Sequence, residues 1–131
     1  MSVLVDTPIW SNLFRRSAPA GVAVDRLRDL ISHGEAELIG PVRQEVLSGV
    51  RSRSQFDRLR RSIQPFSDFP LVRDDFELAA EFYNKCRSAG VQGSNTDFLI
   101  CAVASRNHMP IFTMDKDFLI FSRHLPIVLL T

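Results

Sequence analysis

The sequence predicts a three-layer α/β domain built on a parallel sheet. Short apolar or β-branched runs alternate along the chain with longer segments whose apolar residues recur every three or four positions, the pattern of strands interleaved with amphipathic helices. The segment Phe98 to Ala104 is apolar nearly all round, as a helix buried within such a fold must be. A length of 131 residues sets a single domain over 1–131, and 45% hydrophobic residues suffice for a real core.

Val3 to Val5 reads as a central strand, unbroken and β-branched at both ends. Asp6 closes it, and a helix follows at once, with Thr7 expected as the hydroxyl cap. Pro8 then takes the first helical position, where a missing N–H costs nothing. Ile9 with Leu13 and Trp10 with Phe14 give that helix an apolar face, and Arg15-Arg16 followed by Ser17-Ala18-Pro19 ends it. Trp10 and Phe14 are expected in the core. A second helix is expected over Val22 to His33, with Val24, Leu27, Leu30 and Ile31 inward and Gly34 as its stop.

Glu37-Leu38-Ile39 forms a short second strand, and Gly40-Pro41 opens a third helix whose Val42, Val46 and Val50 face the core. Glu45 lies beside that stripe, one turn in. A fourth helix spans about Ser54 to Ile63, with Phe56 and Leu59 inward. Phe69-Pro70-Leu71-Val72 fits an edge strand, where proline is tolerated. Asp74 or Asp75 starts a long fifth helix with Phe76, Ala79, Ala80 and Tyr83 as its stripe. Ser94-Asn95-Thr96-Asp97 opens the buried helix. Pro110 to Thr113 is a strand running into Met114-Asp115-Lys116-Asp117, and a short helix over Phe118 to Phe121 precedes a last strand over Ile127 to Leu130.

Charge is balanced overall, with sixteen basic and fifteen acidic residues, so position matters more than the sum. Cys86 and Cys101 make no disulfide framework and read as small packed hydrophobes. No secretory segment is read ahead of the first strand, and no apolar run is long enough for a bilayer; a cytoplasmic setting with no membrane partner is expected.

Asp6, Glu45, Asp97 and Asp115 come from four separate segments, and the topology sends them towards one edge of the sheet, outside the carboxyl ends of the strands. Carboxylates held close repel unless cations lie between them, and hard oxygen ligands suit Mg²⁺ or Mn²⁺. Such ions orient a water and stabilise an in-line displacement at phosphorus. No His–Cys cluster with zinc spacing competes. Taken singly, each acid has a simpler reading. Asp6 sits at a helix start, Asp97 fits a capping box opened by Ser94, Asp115 and Asp117 suit turns, and Glu45 suits a solvated flank. Their joint placement favours the metal site.

Thr7, Ser94, Asn95 and Thr113 stand beside these acids as small polar groups able to orient carboxylates or water. Arg43, Arg51, Arg53, Arg58, Arg60 and Arg61 crowd the third and fourth helices. They are expected to hold a phosphodiester backbone near the acids, or alternatively to form a solvated face or meet an acidic protein.

Four short stretches resemble the motifs of PIN-domain ribonucleases, and specifically the VapC-type toxins of bacterial toxin–antitoxin pairs. They are Val5-Asp6-Thr7 with Trp10, Gln44 to Gly49, Asp97 to Ala102, and Thr113 to Phe118. The resemblance implies five parallel strands in the order 3-2-1-4-5 and Mg²⁺- or Mn²⁺-dependent endoribonuclease activity. It also implies a homodimer and a cognate antitoxin partner. It carries Asp6, Glu45, Asp97 and Asp115 over as metal-site acids and Asp117 as an auxiliary acid. Pro8 stands where the family often has a small polar residue. The alternative is a receiver-like, Mg²⁺-dependent phospho-acceptor domain, which usually has an acidic pair ending its first strand; here Thr7 follows Asp6.

Overall fold

The structure is a computed structural model and describes residues 1–16 and 18–131. In chain order it contains β1 (Val3–Val5), α1 (Thr7–Phe14), α2 (Val22–Ser32), β2 (Ala36–Glu37), α3 (Gly40–Leu47), α4 (Arg53–Ile63), α5 (Arg73–Ser88), α6 (Asn95–Arg106), β3 (Ile111–Phe112) and α7 (Asp117–Phe121). The strands form a parallel sheet in the order β2-β1-β3, with Leu4 opposite Glu37 on one side and Ile111 on the other. All three residues of β1 are fully buried, as its unbroken apolar run requires.

Two expected strands shrink to single bridges. Leu38 pairs with Asp68, and Ile111 pairs with Leu129, both parallel. Counted with these bridges, the pairing order is the expected 3-2-1-4-5. Phe69 to Val72 is not a strand: Pro70 has no N–H to donate to a ladder, and Val72 already caps α5. Ile127 to Leu130 is joined to β3 by the two bonds flanking Leu129, from the Ile111 N–H to the Val128 carbonyl and from the Leu130 N–H to the Ile111 carbonyl.

Three helix details also differ. Asp6, not Thr7, caps α1, because a carboxylate one residue earlier already accepts from the Thr7 N–H. The buried stripe of α5 is Asp75, Ala79, Phe82 and Cys86, rotated one position from the expected one. Phe76 is therefore 53% exposed and Ala80 exposed. Asp75 causes this rotation: its carboxylate turns inward to accept from Arg106 at 2.6 Å and from the Val72 N–H at 2.9 Å. On α4, Leu59 and Ile63 are buried, while Phe56 is half-exposed beneath the Arg53 guanidinium. Ser17, expected among the residues ending α1, lies outside the described residues.

The core is continuous from β1 outward. Trp10 is fully buried, stacks on Phe14 and meets Phe66 edge-on at 5.2 Å. α6 is buried from Phe98 to Ala104 without a break, as expected. It packs antiparallel to α5: Asp75 near the start of one meets Arg106 at the end of the other, and Tyr83 meets Phe98. Among the described residues no helix is long and apolar enough to cross a membrane.

Candidate active site

The carboxyl ends of β1 and β3 place Asp6 and Thr113 side by side. Thr113 Oγ1 donates to Asp6 Oδ2 at 2.8 Å and itself accepts from the Asp115 N–H at 3.0 Å. Asp6 Oδ1 accepts from the Thr7 N–H at 2.8 Å. Thr7 Oγ1 then donates to Glu45 Oε1 at 2.7 Å, linking α1 to α3. Asp115 Oδ1 accepts from the Asp117 N–H at 2.9 Å. One run of hydrogen bonds thus joins Glu45, Asp6, Asp115 and the start of α7. Asp97 is held separately, by a reciprocal capping box with Ser94: each backbone N–H donates to the other's side chain at 3.1 Å.

The electrostatics tie Asp97 to the same hollow. Burial first, with the charges of Asp97 and Asp115 adding to it, pushes the Asp6 carboxyl up to about 6 against the bonds from Thr113 and Thr7. The Asp97 carboxyl is raised too, first by burial, against its two Ser94 bonds, with Asp115 and Glu45 adding to the rise. Asp6 thus feels the charges of Asp97 and Asp115, and Asp97 those of Asp115 and Glu45.

Among the described residues no group of three or more His, Cys, Asp or Glu side chains is already gathered as a ligand set. The donors nevertheless suit a hard cation. Asp97 Oδ1, Asp115 Oδ2 and Glu45 Oε2 take no hydrogen bond from the described residues, which leaves each an oxygen for a metal or its waters. The opposing oxygens are anchored, so the carboxylates are oriented in advance.

The remaining expected residues divide. Asn95 is exposed at the first position of α6 and borders an apolar groove of about 380 Å³ lined also by Phe76 and Leu99. Asp117 is exposed and contributes its backbone. Among the arginines, Arg43 turns inward: Nε donates to Asp68 at 2.8 Å, Nη1 to the Ile63 carbonyl at 3.0 Å, and Nη2 to the Phe66 carbonyl. Arg43 was expected as a phosphate contact, and here all three of its nitrogens bond groups of the chain itself. Arg53 and Arg60 both pair with Asp57. Arg51, Arg58 and Arg61 are exposed and form no ion pair among the described residues. Met114, which no sequence motif singles out, is an exposed side chain between Thr113 and Asp115 that Asn12 reaches at 3.6 Å. No spacing rule marks such a tether.

Residues 3–123 match the family model described as "PIN domain". No curated protein sequence gives a match. Among solved structures, the fold is similar to a chain of FitAcB from Neisseria gonorrhoeae, with a TM-score of 0.78 and 19% identity over 98% of this chain and 96% of that one. It is similar to a chain of VapBC2 from Rickettsia felis bound to a DNA fragment from its promoter, with a TM-score of 0.74 and 15% identity over 99% and 98%. It is also similar to a chain of VapBC-5 from Mycobacterium tuberculosis, described as a member of the VapBC family of toxin–antitoxin systems, with a TM-score of 0.68 and 17% identity over 98% of each. With the family match running from β1 through the end of α7, the chain belongs to the PIN domain family.

Proposed function

We propose that this protein is a Mg²⁺- or Mn²⁺-dependent endoribonuclease and the toxin of a toxin–antitoxin pair. The observation that carries the reading is the hydrogen-bonded run from Glu45 through Thr7, Asp6 and Thr113 to Asp115, with Asp97 electrostatically coupled to it. PIN family membership supports the nuclease chemistry and favours it over a phospho-acceptor domain. Similarity to chains of VapBC complexes supports the antitoxin partner.

Asp6, Asp97, Asp115 and Glu45 would hold the cation, with Asp117 in support. When bound, it would polarise the scissile phosphate and supply an activated water. The chain's own residues do the rest. Thr113 and Thr7 fix Asp6 and Glu45 in orientation, and Ser94 fixes Asp97. Asp6 carries its proton in mild acid and releases it as pH rises through about 6, so the cluster becomes competent near neutrality. Arg51, Arg58 and Arg61 lie on the arm that follows α3 and take backbone phosphates. A homodimer belongs to the same reading, and the half-exposed Phe76 beside its apolar groove supports it.

The test is cleavage of total RNA by purified protein with Mg²⁺, with Mn²⁺ and with chelator. Asp97→Ala and Asp6→Ala should abolish cleavage while circular dichroism stays native. Cleavage by either folded variant at the wild-type rate would overturn the site. Millimolar Mn²⁺ should also raise the melting temperature of the wild type, because the cation binds only the folded cluster.

A further inference from the structure

We propose that Arg43 is a positioning residue, a clasp that sets the α4 arm over the acidic site and does not itself touch RNA. The inference rests on the reading of α4 as the phosphate-binding arm. Arg43 sits on α3, two residues before Glu45, and α3 is pinned to the core by the fully buried Val42 and Val46. Its guanidinium reaches across to the far end of α4, where it joins the Phe66 N–H on the Ile63 carbonyl and meets the Phe66 carbonyl just past the helix, and to Asp68 beyond. An arginine that caps the last carbonyls of a helix also meets the negative end of its dipole.

The root of the arm is therefore held on two sides: the guanidinium from α3, and the Phe66 ring packed on Trp10 and Phe14. The tip is different. Residues 51–54 are exposed, and among the described residues the side-chain bonds of Ser52 and Ser54 are all local. Within α4 only Leu59 and Ile63 are fully buried. A helix of this length spans about 16 Å, so a tilt of about 15° at the root would move its tip by about 4 Å. Arg51 and Arg58 ride on the part that moves. Lysine at position 43 would keep the charge but lose the fork that meets three acceptors at once.

The experiment compares wild type, Arg43→Lys, Asp68→Asn and the double variant by hydrogen exchange and by RNA binding in chelator. Both single variants should speed amide exchange across residues 55–63 several-fold and weaken RNA binding several-fold, with the double variant no worse than either. The Mn²⁺-induced melting shift should be unchanged, because α3 stays in place. Asp68→Asn is the decisive arm: removing a negative charge should tighten RNA binding unless the clasp is what matters. Exchange in α4 at the wild-type rate in both variants overturns the proposal, as does unchanged or tighter RNA binding by Asp68→Asn. Wild-type protein that binds no RNA sinks the nuclease reading instead, and the exchange arm still reads the clasp.

Discussion

Thr113 and Asp6, 107 residues apart in sequence, share a 2.8 Å hydrogen bond that joins the ends of β3 and β1. The same hydroxyl accepts from the Asp115 N–H, so one small side chain orients two of the proposed metal ligands. Thr113→Val keeps the shape and removes the hydroxyl. Its loss should push the Asp6 carboxyl higher still, because the Thr113 bond opposes the effect of burial. We expect Mn²⁺ affinity at pH 7 to fall about 10- to 100-fold, the range for lost outer-shell partners, with much of it regained at pH 8 or by Thr113→Ser. Calorimetric titration with Mn²⁺ would read this directly, and wild-type affinity in Thr113→Val would argue against an orienting role.

Asp6 also predicts how stability follows pH in the metal-free protein. Its carboxyl, 4% exposed, holds its proton up to about pH 6 in the fold, against 3.8 for an ordinary aspartate. Between those values the folded state binds more protons than the unfolded one, so the associated stability is complete below about pH 4 and is lost as pH rises through about 6. The loss is about 3 kcal/mol, taking 1.36 kcal/mol per pH unit over that interval. The raised Asp97 carboxyl adds to it with the same sign. Asp6→Asn should flatten the profile and raise the metal-free melting temperature at pH 7 while abolishing cleavage. Urea midpoints from pH 4 to 8 would show it; a stability that climbs over this range in chelator would contradict the burial of Asp6.

Gly93 precedes the Ser94 cap where the loop presses on two aromatic rings. A Cβ there would lie 2.7 Å from Phe121 Cζ and 2.9 Å from the Phe98 ring. Both rings belong to the core, so neither can swing into solvent. Gly93→Ala should destabilise by about 1–3 kcal/mol, measured by urea unfolding. A neutral result would mean the loop relaxes freely.

Arg106 holds Asp75, which is 1% exposed, at 2.6 Å. Arg106→Met would leave that carboxylate with only the Val72 N–H and should cost about 3 kcal/mol, near the lower end for a broken buried pair because Arg106 is partly exposed. Asp75→Asn in the same chain should recover most of the loss. Unfolding midpoints of the two single variants and the double variant measure the coupling, and strict additivity would show the pair is not coupled.

The expected features that hold rest on local chemistry. The apolar run of β1, the all-round apolar α6, the capping box of Ser94 and Asp97, and the pairing order of the sheet were legible in sequence, because each follows from periodicity, from a side chain bonding its own backbone, or from a family motif. The errors fall where a residue's partner is remote. The rotation of α5 follows from Asp75 turning inward to Arg106, 31 residues away. The shortened outer strands reflect neighbours that no single segment encodes.

The candidate site divides the same way. Sequence alone determined which acids this chain carries at the ends of its strands and starts of its helices, and that its arginines cluster on α3 and α4. Only the tertiary structure decided that Thr7 reaches Glu45, that Thr113 bridges Asp6 and Asp115, and that Arg43 is spent inside the fold while Arg58 and Arg61 face solvent. The physical reason is reach: residue type and local backbone set what a side chain can bond, but packing of distant segments sets what lies within about 3 Å of it.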